Sequence, residues 1–252
     1  MVCRSFATAM LGTANARSYP LKTRMRRFLY LLPLLAMLST VSGYSQEKAF
    51  PVATVEPPLS SEPWLSLFDG QSLEGWRETP FTDRGEVRVE NGTIILRAGL
   101  LTGITWTGDF PKSNFEVRFE AARLKGNDFF AGLTFPVGES FCSLIIGGWG
   151  GGTVGISSVD GWDAANNQTA NWRDFDNDRW YAIRLSVTDE KIRAWIDGKI
   201  VVNLALKGHV INLRNGEIKL SAPFGFASYK TTAGLRKLEY RLLSGSGNTT
   251  SP

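Results

Sequence analysis

Acidic and aromatic side chains concentrate in one stretch of the sequence, residues 147–180. Four of the eight tryptophans lie there, together with two glycine clusters, two adjacent asparagines and several aspartates. Aromatic side chains on loops above a rigid sheet can stack on sugar rings, and Asp or Asn can bond to the hydroxyls. The stretch therefore predicts a carbohydrate site. The alternative is that Trp149 and Trp180 are core residues of strands, beside an ordinary long loop.

Metal and cofactor sites have weaker support in the sequence. Asp174, Asp176 and Asp178 have the alternating spacing of calcium ligands, but the glycine and the final glutamate of an EF-hand loop are missing. A solvated acidic turn is the favoured interpretation, with a structural Ca²⁺ as the alternative, and no cofactor is expected. The single histidine, His209, excludes sites built from several histidines, and its loop position predicts a solvated side chain.

The first 43 residues have the features of a signal peptide. Three arginines precede an apolar run at residues 28–38, and small residues follow as far as Gly43. The run is too short to span a bilayer comfortably. We expect cleavage after Gly43, a secreted or periplasmic protein, and no membrane span in the mature chain. Translation from Met25 would give a signal peptide of ordinary length, and translation from Met1 a longer one.

The positive net charge of the chain comes from this leader. Residues 1–43 hold six basic and no acidic side chains within a formal net charge of +4, so the remaining chain carries a formal charge of −2. The basic balance therefore does not predict nucleic-acid binding. After cleavage Cys142 is alone and cannot form an intramolecular disulfide. Its apolar surroundings predict a buried, unreactive thiol.

The remaining sequence has the pattern of a single all-β domain. A proline-rich linker is predicted at residues 44–63, the domain at 64–243 and a flexible tail at 244–252. No segment of ten or more residues after the leader has helical periodicity. A dozen or so short strands joined by Gly and Asp turns predict a sandwich or barrel.

Two turns are the strongest local signals of this fold. Asn91-Gly92 and Asp197-Gly198 each separate two strand-like runs. Such pairs favour two-residue hairpin turns, because both central residues take positive φ. Residues 115–124 alternate apolar and charged side chains, which is typical of a half-solvated strand. The short apolar segment 218–220 is also predicted to be a strand.

The opening of the domain, SLFDGQSLEGW at residues 66–76, resembles a motif that begins the 3-keto-disaccharide hydrolase domain. That motif is Phe-(Asn/Asp)-Gly-x-x-Leu-x-Gly-Trp. Residues 89–93, 115–119 and 224–241 are similar to further parts of the family. Residues 179–203 resemble the strand–hairpin pattern of laminin-G-like and concanavalin-like folds. The resemblance covers about residues 65–243 and implies a concanavalin A-like, laminin-G-like jelly-roll β-sandwich.

The resemblance also implies a reaction, the cleavage of glycosides oxidised at C3. The ketone acidifies the C2 proton, so a base can form an enolate, the C1 substituent leaves, and water adds. Asp160 or Asp163 is the candidate base, with its pKa raised by burial against Trp162. Lys230 or Arg236 is the candidate cation for the enolate. The residues expected to contact the substrate are Trp149, Trp162, Asn167, Tyr229 and Glu139.

The sequence departs from the family at expected site positions. Members usually carry Glu or Gln on the strand matched here by residues 141–144, and Gln and His where Ala227 and Tyr229 stand. Either the site is rebuilt around Trp162 or the fold is kept without the chemistry. The leading hypothesis is a secreted hydrolase or lyase acting on 3-keto-glycosides. The alternatives are a non-catalytic carbohydrate-binding module of the cell envelope, using Trp149, Trp162 and Asn167, and a structural envelope domain.

Overall fold

The computed structural model describes residues 62–244, so the predicted leader, all but the last two residues of the linker, and all but the first residue of the tail lie outside the described residues. The described elements are β1 (Leu65–Ser66), β2 (Trp76–Glu78), β3 (Val87–Glu90), β4 (Thr93–Leu96), β5 (Leu101–Trp106), β6 (Phe115–Lys125), β7 (Ala131–Val137), β8 (Ser140–Gly148), β9 (Thr153–Ser157), β10 (Asn171–Trp172), β11 (Trp180–Val187), β12 (Lys191–Ile196), β13 (Lys199–Ala205), a 3₁₀-helix (Glu217–Ser221), β14 (Gly225–Tyr229) and β15 (Thr232–Leu242). Within this part of the chain, no helix has the length and hydropathy to cross a membrane.

The strands form two antiparallel sheets packed face to face. The first sheet has the order β13-β12-β11-β6-β15-β4-β3, with β1 also paired to β15. The second sheet has the order β10-β9-β8-β7-β14-β5-β2. Several neighbouring strands, such as β6 and β15 or β5 and β14, are far apart in the chain, so the centre of each sheet depends on long-range pairing. The predicted all-β jelly-roll sandwich is confirmed.

Both predicted hairpins are confirmed, with the backbone geometry that the turn residues require. Asn91 (φ 47°) and Gly92 (φ 73°) join β3 to β4. Asp197 (φ 51°) and Gly198 (φ 75°) join β12 to β13. Positive φ at both central positions matches the right-handed twist of the flanking strands, which is why these pairs define the register so strongly.

Aromatic residues from the inner faces of both sheets form the core. Phe119 of β6 and Phe226 of β14 meet edge to face, with ring centroids 4.9 Å apart. Trp76 lies 5.9 Å from Phe226 and donates its indole N–H to the Leu67 carbonyl at 2.7 Å. Cys142 is fully buried in this core, and burial raises the pKa of its thiol well above the ordinary value. The prediction of a buried, unreactive cysteine agrees with this environment.

The strand predicted at residues 218–220 was wrong, because the segment is part of the 3₁₀-helix. Three apolar residues cannot separate strand from helix by periodicity alone. Here the segment lies over the outer face of β5, where the Leu220 carbonyl accepts a hydrogen bond from the Thr105 hydroxyl at 3.2 Å. It adds no strand to either sheet, and its residues Glu217 and Ile218 line a cleft above the second sheet.

Candidate functional site

The outer face of the second sheet carries unusually small side chains. Phe226 of β14 points into the core, so Ala227 and Tyr229 belong to the opposite face. In the same way Leu144 of β8 is fully buried in the core cluster and Ser143 faces outward. The outer face of these central strands is therefore built from side chains that leave space above the sheet.

Two rows of residues across neighbouring strands form the floor of this space. The first row is mostly hydroxyl-bearing and contains Ser157, Ser143, Thr134, Gly225 and Thr105. The second row consists of Gly155, Ile145, Gly132, Ala227 and Gly103. The hydroxyls of Thr134 and Ser143 bond to each other at 2.8 Å, so part of the polar floor is already satisfied within the protein.

A cleft of about 370 Å³ lies on this face, and we call it the cup. Its apolar lining consists of Leu100, Leu101, Phe129, Ile145, Trp149 and Ile218. Its polar lining includes Ser143, Ser157, Arg214, Asn215, Glu217 and Tyr229. The volume is within the usual range for small-molecule sites, which are mostly apolar with a few placed polar groups.

Three aromatic rings line the cup. Phe129 and Tyr229 are stacked, with ring centroids 5.8 Å apart and an interplanar angle of 21°. Trp149 lies in the turn between β8 and β9 with φ of 49°, and its side chain is 42% exposed. The Arg214 guanidinium lies 5.8 Å from the centroid of the Trp149 ring. Flat apolar surfaces of this kind favour a flat or ring-shaped ligand.

A second cleft of about 610 Å³ adjoins the cup, and we call it the polar cleft. The two clefts share Arg214 and Asn215. The polar cleft is also lined by Ser158, Asp163, Asn212 and Lys219. Its lining is much more polar than that of the cup, so the two spaces suit chemically different groups.

One ion pair stands where the clefts meet. The Asp163 carboxylate lies 3.3 Å from Nε of Arg214, and the Ser157 hydroxyl, which lines the cup, donates to the same carboxylate oxygen at 3.4 Å. The Asp163 side chain keeps 24% of its surface exposed. A carboxylate and a guanidinium are thus available at the boundary to a ligand that occupies both clefts.

Hydrogen bonds between two loops hold this boundary. Ser158 and Asn212 exchange backbone hydrogen bonds of 2.8 and 3.3 Å. Asp160 accepts from the Val210 backbone N–H and from Nδ1 of His209, each at 2.7 Å. The sequence predicted a solvated side chain for His209. In the structure the side chain is instead half-buried and bonded to Asp160. The Val210 and His209 donors lower the pKa of Asp160 below its ordinary value.

The predicted catalytic residues divide between the site and other surfaces. Asp163 reaches the polar cleft, whereas the Asp160 carboxylate is occupied by its donors and has a lowered pKa, opposite to the raised pKa expected of a base. The Lys230 ammonium lies 5.2 Å from the Tyr229 ring, beside the cup. Arg236 belongs to β15 of the first sheet, where it bonds to Glu120 at 2.7 Å. The sandwich thus separates Arg236 from both clefts.

The predicted substrate-binding residues divide in the same way. Trp149 and Tyr229 line the cup. Trp162 is 61% exposed and lines neither cleft. The Asn167 amide donates to the carbonyls of Ile156 in β9 and of the loop residues Trp162 and Asp163. Asn167 therefore braces the loop that carries Asp163.

Glu139 lies in the turn between β7 and β8 rather than at either cleft. Its carboxylate pairs with the Lys112 ammonium at 2.7 Å, and both side chains are largely exposed. The expected sugar contact at Glu139 is therefore not part of the site that the structure assembles.

One segment that lines both clefts, residues 212–217, was not predicted from the sequence. Arg214, Asn215 and Glu217 all come from residues 212–217, with the sequence Asn-Leu-Arg-Asn-Gly-Glu. A polar, glycine-containing segment between apolar segments is a usual location for binding residues, so the sequence could have indicated residues 212–217 as a candidate. The sequence could not show that this segment lies next to residues 158–163, because the two loops are about 50 residues apart in the chain.

The calcium alternative at Asp174, Asp176 and Asp178 gains no support. Within residues 62–244, no group of three or more His, Cys, Asp and Glu side chains is placed to hold a metal ion. All three aspartates are exposed, and Asp176 pairs with Arg179 at 3.8 Å.

A family model for the 3-keto-alpha-glucoside-1,2-lyase-like domain matches residues 63–232. No curated protein matches the chain in sequence.

Solved structures with a similar fold have low sequence identity to this chain. A protein of unknown function with a galectin-like fold from Bacillus subtilis is 11% identical, with a TM-score of 0.49 over 73% of this chain and 98% of that one. The carbohydrate-binding module CBM66 from Bacillus subtilis is 13% identical, with a TM-score of 0.44 over 70% and 98%. A laminarinase from Flavobacterium sp. UMI-01 is 13% identical, with a TM-score of 0.47 over 73% and 100%. These similarities concern the fold.

Proposed function

The chain belongs to the 3-keto-alpha-glucoside-1,2-lyase-like domain family, and from this premise we propose that it is a secreted enzyme that cleaves 3-keto-glycosides. The proposed site is the pair of clefts on the outer face of the second sheet. The leader predicted at residues 1–43 supports export before the enzyme acts.

The reaction needs a base, a cation and a path for the leaving group. The base removes the C2 proton and the electron pair of that bond forms the enolate, with negative charge on the C3 oxygen. The enolate then restores the C3 carbonyl, a C1–C2 double bond forms, and the C1–O bond breaks with its electrons on the leaving oxygen. Water finally adds at C1, and C2 regains a proton. Stabilising the enolate oxygen and positioning the base provide most of the acceleration.

Asp163 and Arg214 are the residues that suit these roles best. Their 3.3 Å ion pair at the boundary of the clefts is the single observation that carries the proposal. Asp163 would take the C2 proton and return it, and Arg214 would face the developing charge on the C3 oxygen. Arg214 takes the place of Arg236, which belongs to the first sheet, and Asp163 is retained from the two predicted base candidates. Lys230 beside the cup is a further cation within the same region.

The test is Asp163→Asn, with Glu120→Gln as the matched control. Glu120 is also a carboxylate paired with an arginine, but it belongs to the first sheet. Asp163→Asn keeps the size of the side chain and removes its proton affinity. We expect turnover of a 3-keto-glucoside to fall by about 10²–10⁴-fold, with ligand binding retained. Exchange of the C2 proton with D₂O, followed by NMR, should be lost in the same variant and kept in Glu120→Gln.

One observation favours a second function, a carbohydrate-binding module without turnover. Where the resemblance implies Glu or Gln on the strand at residues 141–144, the only residue of that segment lining the cup is the small Ser143, and Ala227 stands where a longer polar side chain is expected. A wild-type protein that binds 3-keto-glycosides without consuming them or exchanging the C2 proton would establish this second function. Full turnover by Asp163→Asn would instead reject Asp163 as the base and leave the enzyme hypothesis to other residues.

A further inference from the structure

We propose that the substrates are 3-keto-glycosides with an aromatic leaving group, which occupies the cup while the keto-sugar occupies the polar cleft. This inference rests on the proposed function and assigns a different half of the substrate to each cleft. The C1–O bond to be broken then lies at the boundary, beside Asp163 and Arg214.

The lining of the cup is poorly suited to a second sugar. Six apolar side chains form most of its surface, among them Leu100, Ile145 and Ile218. A sugar ring carries a hydroxyl on nearly every carbon, and each hydroxyl left without a partner in an apolar space lowers affinity. On the floor, the Ser143 hydroxyl is already bonded to Thr134. The cup therefore favours a ligand group with few hydrogen-bonding atoms.

The shape of the cup favours a flat ring over a flexible chain. The stacked pair of Phe129 and Tyr229 lines the cup, and Trp149 lines it as well. Aromatic side chains interact best with another ring, either offset-stacked or edge to face. An apolar cavity of about 150 Å³ can hold benzene, so the cup, at about 370 Å³, has room for a phenyl group and its substituents.

The polar cleft has the complementary chemistry. Asp163, Asn212, Arg214 and Lys219 line it and offer both donors and acceptors. Such a lining can match the remaining hydroxyls of a keto-sugar and place its C2 and C3 atoms against the ion pair. The sugar is thus assigned to the larger and more polar of the two spaces.

The protonation requirement of the leaving group agrees with an aromatic group in the cup. Among the described residues that line the cup, the ionisable side chains are Arg214, Glu217 and Tyr229. Glu217 already accepts from the Thr82 backbone N–H at 3.0 Å, and Arg214 pairs with Asp163. A phenol has a pKa of about 10, as in tyrosine, far below that of an alkyl alcohol. An aryl oxide can leave as an anion without full protonation, and water later supplies OH to C1 and a proton to the phenolate.

Binding can be tested separately from turnover. Phenyl and methyl α-glucosides lack the C3 ketone and cannot eliminate, so calorimetry on the wild-type protein measures binding alone. We expect the phenyl glucoside to bind about 10-fold more tightly than the methyl glucoside. The corresponding 3-keto-glucosides, together with a 3-keto-disaccharide, then report kcat/KM, and the phenyl compound should again be preferred by about 10-fold.

Two matched pairs of variants locate the preference. Leu100 lines the cup and is 42% exposed, whereas Leu220 is 39% exposed and does not line it. Leu100→Ser should reduce the phenyl-over-methyl preference by about 3-fold, and Leu220→Ser should leave it unchanged. Trp149→Ala should reduce it by about 10-fold, with the exposed Trp172→Ala as its control.

Each outcome decides one of the two proposals. A phenyl preference that Leu100→Ser and Trp149→Ala reduce, while both controls keep it, supports the assignment of the cup. Equal binding of phenyl and methyl glucosides, or a preferred disaccharide, overturns it and leaves the proposed cleavage standing. A phenyl preference without consumption of any 3-keto-glycoside rejects the cleavage and keeps an aryl-glycoside site. If no glycoside binds, both proposals fail.

Discussion

On the outer face of the first sheet, long charged side chains from adjacent strands pair with one another, whereas the second sheet carries Ser, Thr, Gly and Ala at its centre. The pairs of the first sheet include Arg118–Glu239 at 2.6 Å, Arg236–Glu120 at 2.7 Å and Arg241–Glu116 at 2.5 Å. In each of these three pairs one partner belongs to β6 and the other to β15. We call this surface the charged ladder; it is filled by its own side chains, and the cup is not.

Tryptophans follow the same division. On the charged ladder an arginine covers each ring: Arg118 lies over Trp64 at 4.2 Å, Arg184 over Trp195 at 3.9 Å and Arg236 over Trp180 at 3.9 Å. In the cup, Trp149 and Tyr229 border open space. Aromatic and charged residues are abundant on both faces, so their presence does not mark a site. The unfilled volume between them does.

The largest expected effect on stability comes from Asn91→Pro. This variant tests whether the two sheets unfold as one cooperative unit. Asn91 has φ of 47°, and proline holds φ near −65°, so the hairpin between β3 and β4 cannot form its turn. We expect a loss of about 3 kcal/mol or more in the free energy of unfolding, and one cooperative transition when tryptophan fluorescence and circular dichroism are followed together. Asn91→Gly, which tolerates positive φ, should stay within a few tenths of a kcal/mol. Separate transitions for the two probes would contradict the shared core.

The next effect is confined to the charged ladder. The Glu116 side chain is only 8% exposed, accepts from Arg241 and lies 3.6 Å from Arg184. Glu116→Ala removes a buried, ion-paired carboxylate and should cost about 2 kcal/mol in urea unfolding, with ligand binding at the cup unchanged. The control Glu90→Gln acts on an exposed pair with Arg88 and should cost less than about 0.5 kcal/mol. Loss of ligand affinity in Glu116→Ala would show that the two faces are coupled.

Two aromatic truncations, one on each face, should each have an effect of about 1 kcal/mol, one on stability and the other on ligand binding. Trp195→Ala removes the ring under Arg184 and should lower stability by about 1 kcal/mol without changing ligand affinity. Tyr229→Ala removes one wall of the cup and should weaken binding of a phenyl glucoside by about 10-fold. Thermal melts measure the stability of both variants, and calorimetry measures the affinity of both for the phenyl glucoside. Equal effects of the two variants on stability and on binding would remove the distinction between ladder and cup.

The smallest effect concerns pH. Burial alone would raise the pKa of Glu120, but its bonds to Lys237 and Arg236 outweigh burial and lower the pKa. A carboxyl with a lowered pKa stabilises the folded state above its unfolded pKa, about 4.3, and this contribution is lost as the pH falls through the folded value. Stability should therefore fall less in Glu120→Gln than in the wild type between about pH 6 and pH 3. Urea titrations at both pH values measure this, and an identical fall in the two proteins would contradict it.

The amino-acid sequence by itself determined the strands and the turns. Alternation of apolar and charged side chains over residues 115–124 defines β6 and its core face, because successive side chains of a strand point to opposite sides. Asn91-Gly92 and Asp197-Gly198 define two hairpins through their backbone preferences. These are local properties, so a sequence pattern is sufficient to predict them. The three-residue segment at 218–220 was too short to carry such a pattern.

The tertiary structure alone decided which predicted residues form the site. Asp160 and Asp163 are three positions apart and looked equivalent, yet Asp160 is bonded to His209, 49 residues away, and Asp163 pairs with Arg214 at the clefts. Arg236, the cation predicted from the sequence, belongs to the opposite sheet, whereas Arg214, which no sequence prediction named, lines both clefts. The availability of a carboxylate depends on donors from distant segments, and an open volume depends on both sheets and the loops above them. No local pattern carries that information.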